Sequence, residues 1–148
     1  MDAQPTDLQR AARVSRAVEI MSITLAALDL QSELPPDAAP PESLRCRYGA
    51  RGAKYEVIEE GLVVSVSLMF AVSDDGNGDE VLLSITATFT AVYSVPEPSS
   101  YSPDDLECFA RLNGTYNVWP YWRELLHTMG GRAGLPGLVV PVFRPEQA

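Results

Sequence analysis

His127 is the sole histidine of the chain, so any Ser-His or Cys-His nucleophilic pair would have to be built on it. It lies beside Arg123 and Glu124 on the polar side of a helical pattern, with no nucleophile motif near it, and reads as a surface or interface residue. Cys46, Cys108 and one histidine are fewer ligands than a zinc site of known spacing requires. Asp75-Gly76-Asn77-Gly78-Asp79 begins like a calcium loop, in which alternate oxygens surround a hard cation. Glu80 stands where that loop needs glycine and Thr86 where it needs a bidentate glutamate, so the stretch reads as a hairpin turn. Gly130-Gly131-Arg132-Ala133-Gly134 follows a helical pattern instead of a strand, which excludes a phosphate-cradling loop. Asn113-Gly114-Thr115 has the form of a glycosylation acceptor but reads more simply as a helix-ending turn. No catalytic residue, no metal and no cofactor is expected.

What remains is an aromatic cluster, Tyr116, Trp119, Tyr121 and Trp122, flanked by Asn113, Asn117 and Arg123. Such a cluster either anchors a core or lines a groove for extended apolar peptide, because aromatic rings give a large contact area at low entropic cost. Periodicity does not separate the two.

The elements that must position this cluster fit one domain: 148 residues, 46% hydrophobic and 21% charged, match ordinary globular usage. A net charge of -9 repels phosphate backbones and anionic lipid, so neither nucleic acid nor a membrane is an expected partner. No apolar run approaches the roughly 20 residues of a membrane helix. Met1 to Arg10 carries two aspartates and no apolar stretch of secretory length, and the two cysteines read as reduced thiols, so a cytoplasmic location is expected.

Thr6 and Asp7 open a helix with Leu8, Ala11, Ala12 and Ala17 as its apolar stripe. From Val18 a strand is expected through Ile23, Leu25, Leu28 and Leu30, with a one-residue slip that calls for a bulge near Ala26. Leu34 to Pro41 reads as a proline-rich loop, and Ser43 to Ala53 as either a short edge strand or a loop. Leu62 to Val72 and Val81 to Tyr93 alternate apolar residues with Ser and Thr, the pattern of two half-buried antiparallel strands. Ser102-Pro103-Asp104-Asp105 starts a helix that Gly114 is expected to end, and a second helix opens at Pro120 and stops at Gly130-Gly131. Leu135 to Phe143, interrupted by Pro136 and Pro141, reads as a packed extended stretch or an edge. Strands first and helices last predict an α+β fold: a four-stranded antiparallel sheet with C-terminal helices on one face.

Trp119-Pro120-Tyr121-Trp122-Arg123-Glu124 is similar to the Pro-Tyr-Ala-Arg-Glu helix start of the SecB chaperones, with an aromatic in place of alanine. Gly134 to Phe143 resembles that family's apolar segment, built around Phe-Pro and ending in Pro-Val-Asn-Phe. The resemblance covers roughly residues 18 to 143, treated as the core, with 1 to 17 as an N-terminal extension of a single SecB-like domain. That extension, Thr6 to Ala17, resembles the SecB-like proteins that escort antitoxins in toxin-antitoxin systems. Five residues follow Phe143 where the family continues into a second helix and an acidic tail, so contact with the export motor SecA is not expected.

The resemblance implies an ATP-independent holdase for non-native polypeptide, serving export or antitoxin protection. It implies a client groove with Leu28, Leu30, Leu62, Val64, Tyr116 and Trp119 as candidates, and a homotetramer, a dimer of dimers, with Trp122, Leu125 and Met129 at the interface. The alternatives are an adaptor for one folded partner and a small α+β ligand-binding protein.

Overall fold

Alternation builds the centre of the molecule. In β3 (Gly61–Asp74) and β4 (Val81–Ser94), which pair antiparallel, Leu62, Val64, Val66, Leu68, Phe70 and Val72 face the same side as Leu83, Ile85, Ala87, Phe89, Ala91 and Tyr93. All of these are buried, and they form the floor of the core. The computed structural model describes residues 3–37, 39, 43–76 and 80–144, so the tip of this hairpin, residues 77 to 79, where the Asn-Gly turn is expected, lies outside the described residues.

β1 (Glu19–Ser32) adds to β4 and β2 (Leu44–Ile58) adds to β3, giving an antiparallel sheet of order β1-β4-β3-β2. The register shifts between Leu25 and Ala27, placing the bulge at the residue where the slip in the pattern predicts it; a second shift falls between Ile20 and Ser22. β2 is no short edge: it spans 15 residues and runs on past Ala53 to end at Ile58. Its weak alternation has a physical reason, since only part of its inner face lies under the helices and Val57 and Ile58 stay exposed. The turn into β3 uses Glu60 in the left-handed region at φ 51°, a position that glycine or asparagine would normally announce.

The helical layer covers one face. α1 (Asp7–Ser15) begins with a complete capping box, the Thr6 hydroxyl accepting from the Gln9 amide while the Gln9 side chain accepts from Thr6 N–H. Ala11 and Val14 are buried, so the N-terminal segment is packed into the domain rather than appended to it. Arg10 and Arg13 straddle the buried Asp105 carboxylate at 3.3 and 3.6 Å, and Arg111 meets Asp7 at 2.6 Å. The Asp105 pairs tie α1 to α2 (Pro103–Phe109), which Ser102 caps through the Asp105 amide, and the Arg111 pair ties α1 to the turn that follows α2.

The helix does not stop at Gly114, nor does a new one open at Pro120. α2 continues through a π-helical segment, Ala110–Gly114, into α3 (Thr115–Arg132), with Pro120 inside α3. Gly114 keeps right-handed helical angles, φ -58° and ψ -50°, and its role is proximity: a Cβ there would lie 2.8 Å from Val64 Cγ1. Pro120 withholds one helical donor from the carbonyl four residues earlier, and its own ring is exposed, so water can serve that carbonyl. Val118, Trp122, Leu125 and Leu126 bring α3 down onto the sheet. Tyr93 and Phe109 meet edge to face at 4.9 Å, a contact worth about 1 kcal/mol beyond area burial.

Gly114→Ala is expected to destabilise by about 1–3 kcal/mol, because the sheet beneath has no room for the methyl. Gly131→Ala, in α3 with open space around it, should stabilise by about 0.5–1 kcal/mol. Urea unfolding of both variants checks the contrast in sign.

Candidate functional site

After α3 the chain turns at Gly134 and runs back along the helix as an extended strap, residues 135 to 143, without joining the sheet. Pro136 and Pro141 suit it to this, since a strap needs no ladder of amide donors. Leu135 and Val140 are buried beneath it. Three side chains spaced four apart on α3 hold its carbonyls: Trp119 Nε1–H donates to Pro141 at 2.8 Å, Arg123 Nε–H to Val140 at 2.7 Å, and His127 Nδ1 to Leu138 at 3.0 Å. A carbonyl only accepts, so the last bond fixes the proton of His127 on Nδ1. The single histidine is therefore a clamp.

The strap delivers Phe143 to the start of α3. Its ring lies 5.5 Å from Trp119 and 6.2 Å from Tyr116, and Trp119 in turn is 6.4 Å from Tyr48 of β2. Around these rings are two adjoining cavities that share Tyr116 and Phe143. The larger, about 410 Å³, takes in Asn117, Pro120, Arg123 and Val142; the smaller, about 260 Å³, takes in Leu8 of α1 and Leu112 and Asn113 of the π segment. Together they make an open apolar trough with one amide on each side of Tyr116. Asn117 Nδ2 donates to the Tyr93 hydroxyl at 2.9 Å. Burial raises the Tyr93 phenol above its ordinary pKa, and that hydrogen bond offsets the rise in part.

Of the six groove candidates, only Tyr116 and Trp119 come together here, and they differ in kind. Tyr116 is 61% exposed, whereas Trp119 is buried and lines the wall with its indole N–H already bonded to the Pro141 carbonyl. Leu62 and Val64 lie fully under the helical layer, so in this chain they are core residues and offer a ligand no surface. Leu28 belongs to a row on β1 with Leu25, pointing to the same side as the core but past the cover of the helices, and both are exposed. Leu30 lines a separate cavity of about 470 Å³ with Leu34, Pro35 and Arg132. The interface candidates also turn inward: Trp122 and Leu125 are buried against the chain's own sheet and Met129 is packed beside them. Their i, i+3, i+7 spacing marks the face of α3 that meets the sheet, while Tyr121, Glu124 and His127 face outward. Leu8, Leu112, Val142 and Phe143 complete the trough. Only the aromatic and amide types around Tyr116 signal it in the sequence.

No group of residues suited to a metal is present among the described residues. Cys108 is buried between α1 and α2, where burial first and the Asp7 carboxylate second raise its thiol pKa, against the Arg111 guanidinium. No helix is long and apolar enough to cross a membrane.

A four-stranded antiparallel sheet with a single helical layer at its C-terminal end is the architecture of SecB-like chaperones, and the chain has that fold. It matches the SecB-like chaperone Rv1957 of Mycobacterium tuberculosis, solved in complex with a ChAD peptide from the HigA1 antitoxin Rv1956, with a TM-score of 0.76 and 19% identity, over 93% of this chain and 99% of that one. A protein of unknown function from Streptococcus agalactiae is a more distant likeness, with a TM-score of 0.42 and 13% identity over 84% of this chain and 96% of that one. No family model matches the sequence, and no curated protein matches it.

Removing one clamp should loosen the strap without unfolding the sheet. Arg123→Met loses a charged hydrogen bond worth about 1.5–3 kcal/mol, so trypsin should cut after Arg132 several-fold faster while the unfolding transition of the core is retained. Timed digestion read by mass spectrometry checks this.

Proposed function

We propose that this chain is an ATP-independent holdase that shields apolar segments of non-native polypeptides, with an antitoxin segment as the favoured client. The observation that carries the reading is the trough around Tyr116 and Phe143, an exposed aromatic surface with no metal-binding group among the described residues. Rings supply the affinity, since burying a large apolar side chain contributes about 1.5–3 kcal/mol before ordering costs. The amides of Asn113 and Asn117 suit the backbone of an extended client, whose polar groups do not depend on its sequence. The likeness to Rv1957, which was solved with an antitoxin peptide, supports the choice of client.

The same reading includes a cytoplasmic location and a homotetramer. Two cysteines that are free, one exposed and one buried, agree with a reducing compartment. The uncovered row of Leu25 and Leu28, with Ile20 and Met21 beside it, supports burial of β1 against another copy.

Sub-stoichiometric to equimolar protein should suppress aggregation of a chemically unfolded substrate without ATP, as followed by light scattering. Tyr116→Ser with Phe143→Ser should weaken binding of an unfolded client at least tenfold, while circular dichroism retains the wild-type fold; unchanged affinity in a folded double variant would remove the trough from the reading. Static light scattering at micromolar concentration should give about four times the chain mass of 16.1 kDa. A monomer at that concentration would refute the assembly.

A further inference from the structure

The face of the sheet opposite the helices carries a second surface of different chemistry. In a chain of net charge -9, four of the eleven basic residues, Arg45, Arg47, Arg51 and Lys54, sit on β2. Arg45, Arg47 and Lys54 stand opposite Ser73, Ala71 and Ser65 in register, all on the uncovered face. Arg51 is the extra residue at the bulge, and it points the same way, lining a concavity with Lys54, Ser67 and Thr88. That concavity measures about 510 Å³. Arg45 pairs with Asp75 at 2.9 Å, but Arg47, Arg51 and Lys54 make no ion pair among the described residues. Asp29 accepts a hydrogen bond from Gln31 instead of meeting Arg51. Ser67 and Thr88 hydroxyls are 3.2 Å apart, and whichever donates, the other keeps its O–H for a ligand.

β2 is also an edge strand: among the described residues it pairs with β3 alone, so the amides and carbonyls of its other side are unclaimed by any strand. Charges and a bulge on an edge would by themselves discourage pairing between copies of the chain. Here the unpaired charges from Arg47 to Lys54 have one sign, opposite to that of the molecule, and Glu56, two residues further on the same face, carries the one negative charge of the strand. That arrangement repels cationic strands and attracts anionic ones.

The geometry points to β2 as a docking edge for an extended, acidic polypeptide segment, added as a fifth strand with its carboxylates on the uncovered face. Added strands lie about 4.8 Å away and alternate their side chains, so every second residue of the segment falls beside the basic row. Arg47 and Arg51 offer planar forks to carboxylates, and Lys54 adds a point charge. Nucleic acid is the weaker match, because an overall charge of -9 surrounds so few free cations. This surface lies on the opposite face from the trough, and its test stands apart from that of the holdase reading.

Fluorescence anisotropy with a labelled twelve-residue peptide of alternating Glu and Thr tests it, at low and at physiological salt. The expected result is saturable binding that weakens as salt rises and falls at least tenfold in the R47E/R51E/K54E variant. An R47Q/R51Q/K54Q variant should lose most of the affinity too, which guards against misfolding of the charge-reversed chain; both are checked by circular dichroism. Client binding at the trough should be unchanged in either variant. Absence of binding at low salt, equal binding by the folded variants, or tighter binding of a single-stranded oligonucleotide of matched charge would overturn the proposal.

Discussion

Everything in the molecule depends on keeping one face of the β3–β4 pair dry. Those strands present two adjacent rows of Leu, Val, Ile, Phe and Tyr, far more apolar surface than a hairpin could leave in water. The cover is a single helical run from Pro103 to Arg132, and at Gly114 it lies so close over Val64 that a Cβ would not fit. The π-helical segment just before that contact shifts the following residues by one position relative to a regular helix. The shift lets Ala110 and Gly114 face the core while Leu112, Asn113 and Tyr116 are left to line the trough. Packing of the floor and placement of the site are thus solved by the same irregular turn.

Cover by one layer is also incomplete. The helices lie over β3, β4 and part of β2, while the apolar residues of β1 that share the same face, Leu25 and Leu28, stay open. A row of this kind on the edge strand of a sheet favours burial against other protein, and the opposite edge carries a row of cations instead. The two edges therefore present different chemistry to solvent, apolar on β1 and basic on β2, in a chain that is otherwise acidic.

Much of this is written locally in the sequence. The alternation of Leu62 to Val72 against Ser65 and Ser67, the slip at Ala26, and the Ser102-Pro103-Asp104-Asp105 cap each reflect a single backbone requirement, and each appears where it is expected. The misread places are those where a distant contact outranks a local preference. Gly114 and Pro120 look like helix stops, yet Gly114 is dictated by Val64, fifty residues earlier, and Pro120 is tolerated on a solvent face. Trp119, Arg123 and His127 gave no sign of a shared task because their partners are backbone carbonyls, which any residue supplies. Trp122 and Leu125 show that an apolar stripe reports burial without saying whether the cover is the same chain or another.

The trough is assembled from pieces that lie far apart in the chain: Leu8 from α1, Leu112 to Arg123 from the helical run, and Val142 with Phe143 from the strap. Its rigid side is the helix, anchored by Trp119, Trp122 and Leu126 in the core. Its other side is held by a few bonds, three side chains on strap carbonyls and the ion pairs of α1 with α2. Elements tied by so few contacts open at a lower free-energy cost than the β3–β4 pair, whose inner face is buried throughout. A site with one fixed aromatic wall and one yielding wall can admit segments of differing bulk, because the strap can shift by breaking a clamp while the ring stack stays in place. On the proposed reading, the low specificity a holdase needs comes from this division: the core sets where a client binds, and the strap sets how much room it is given.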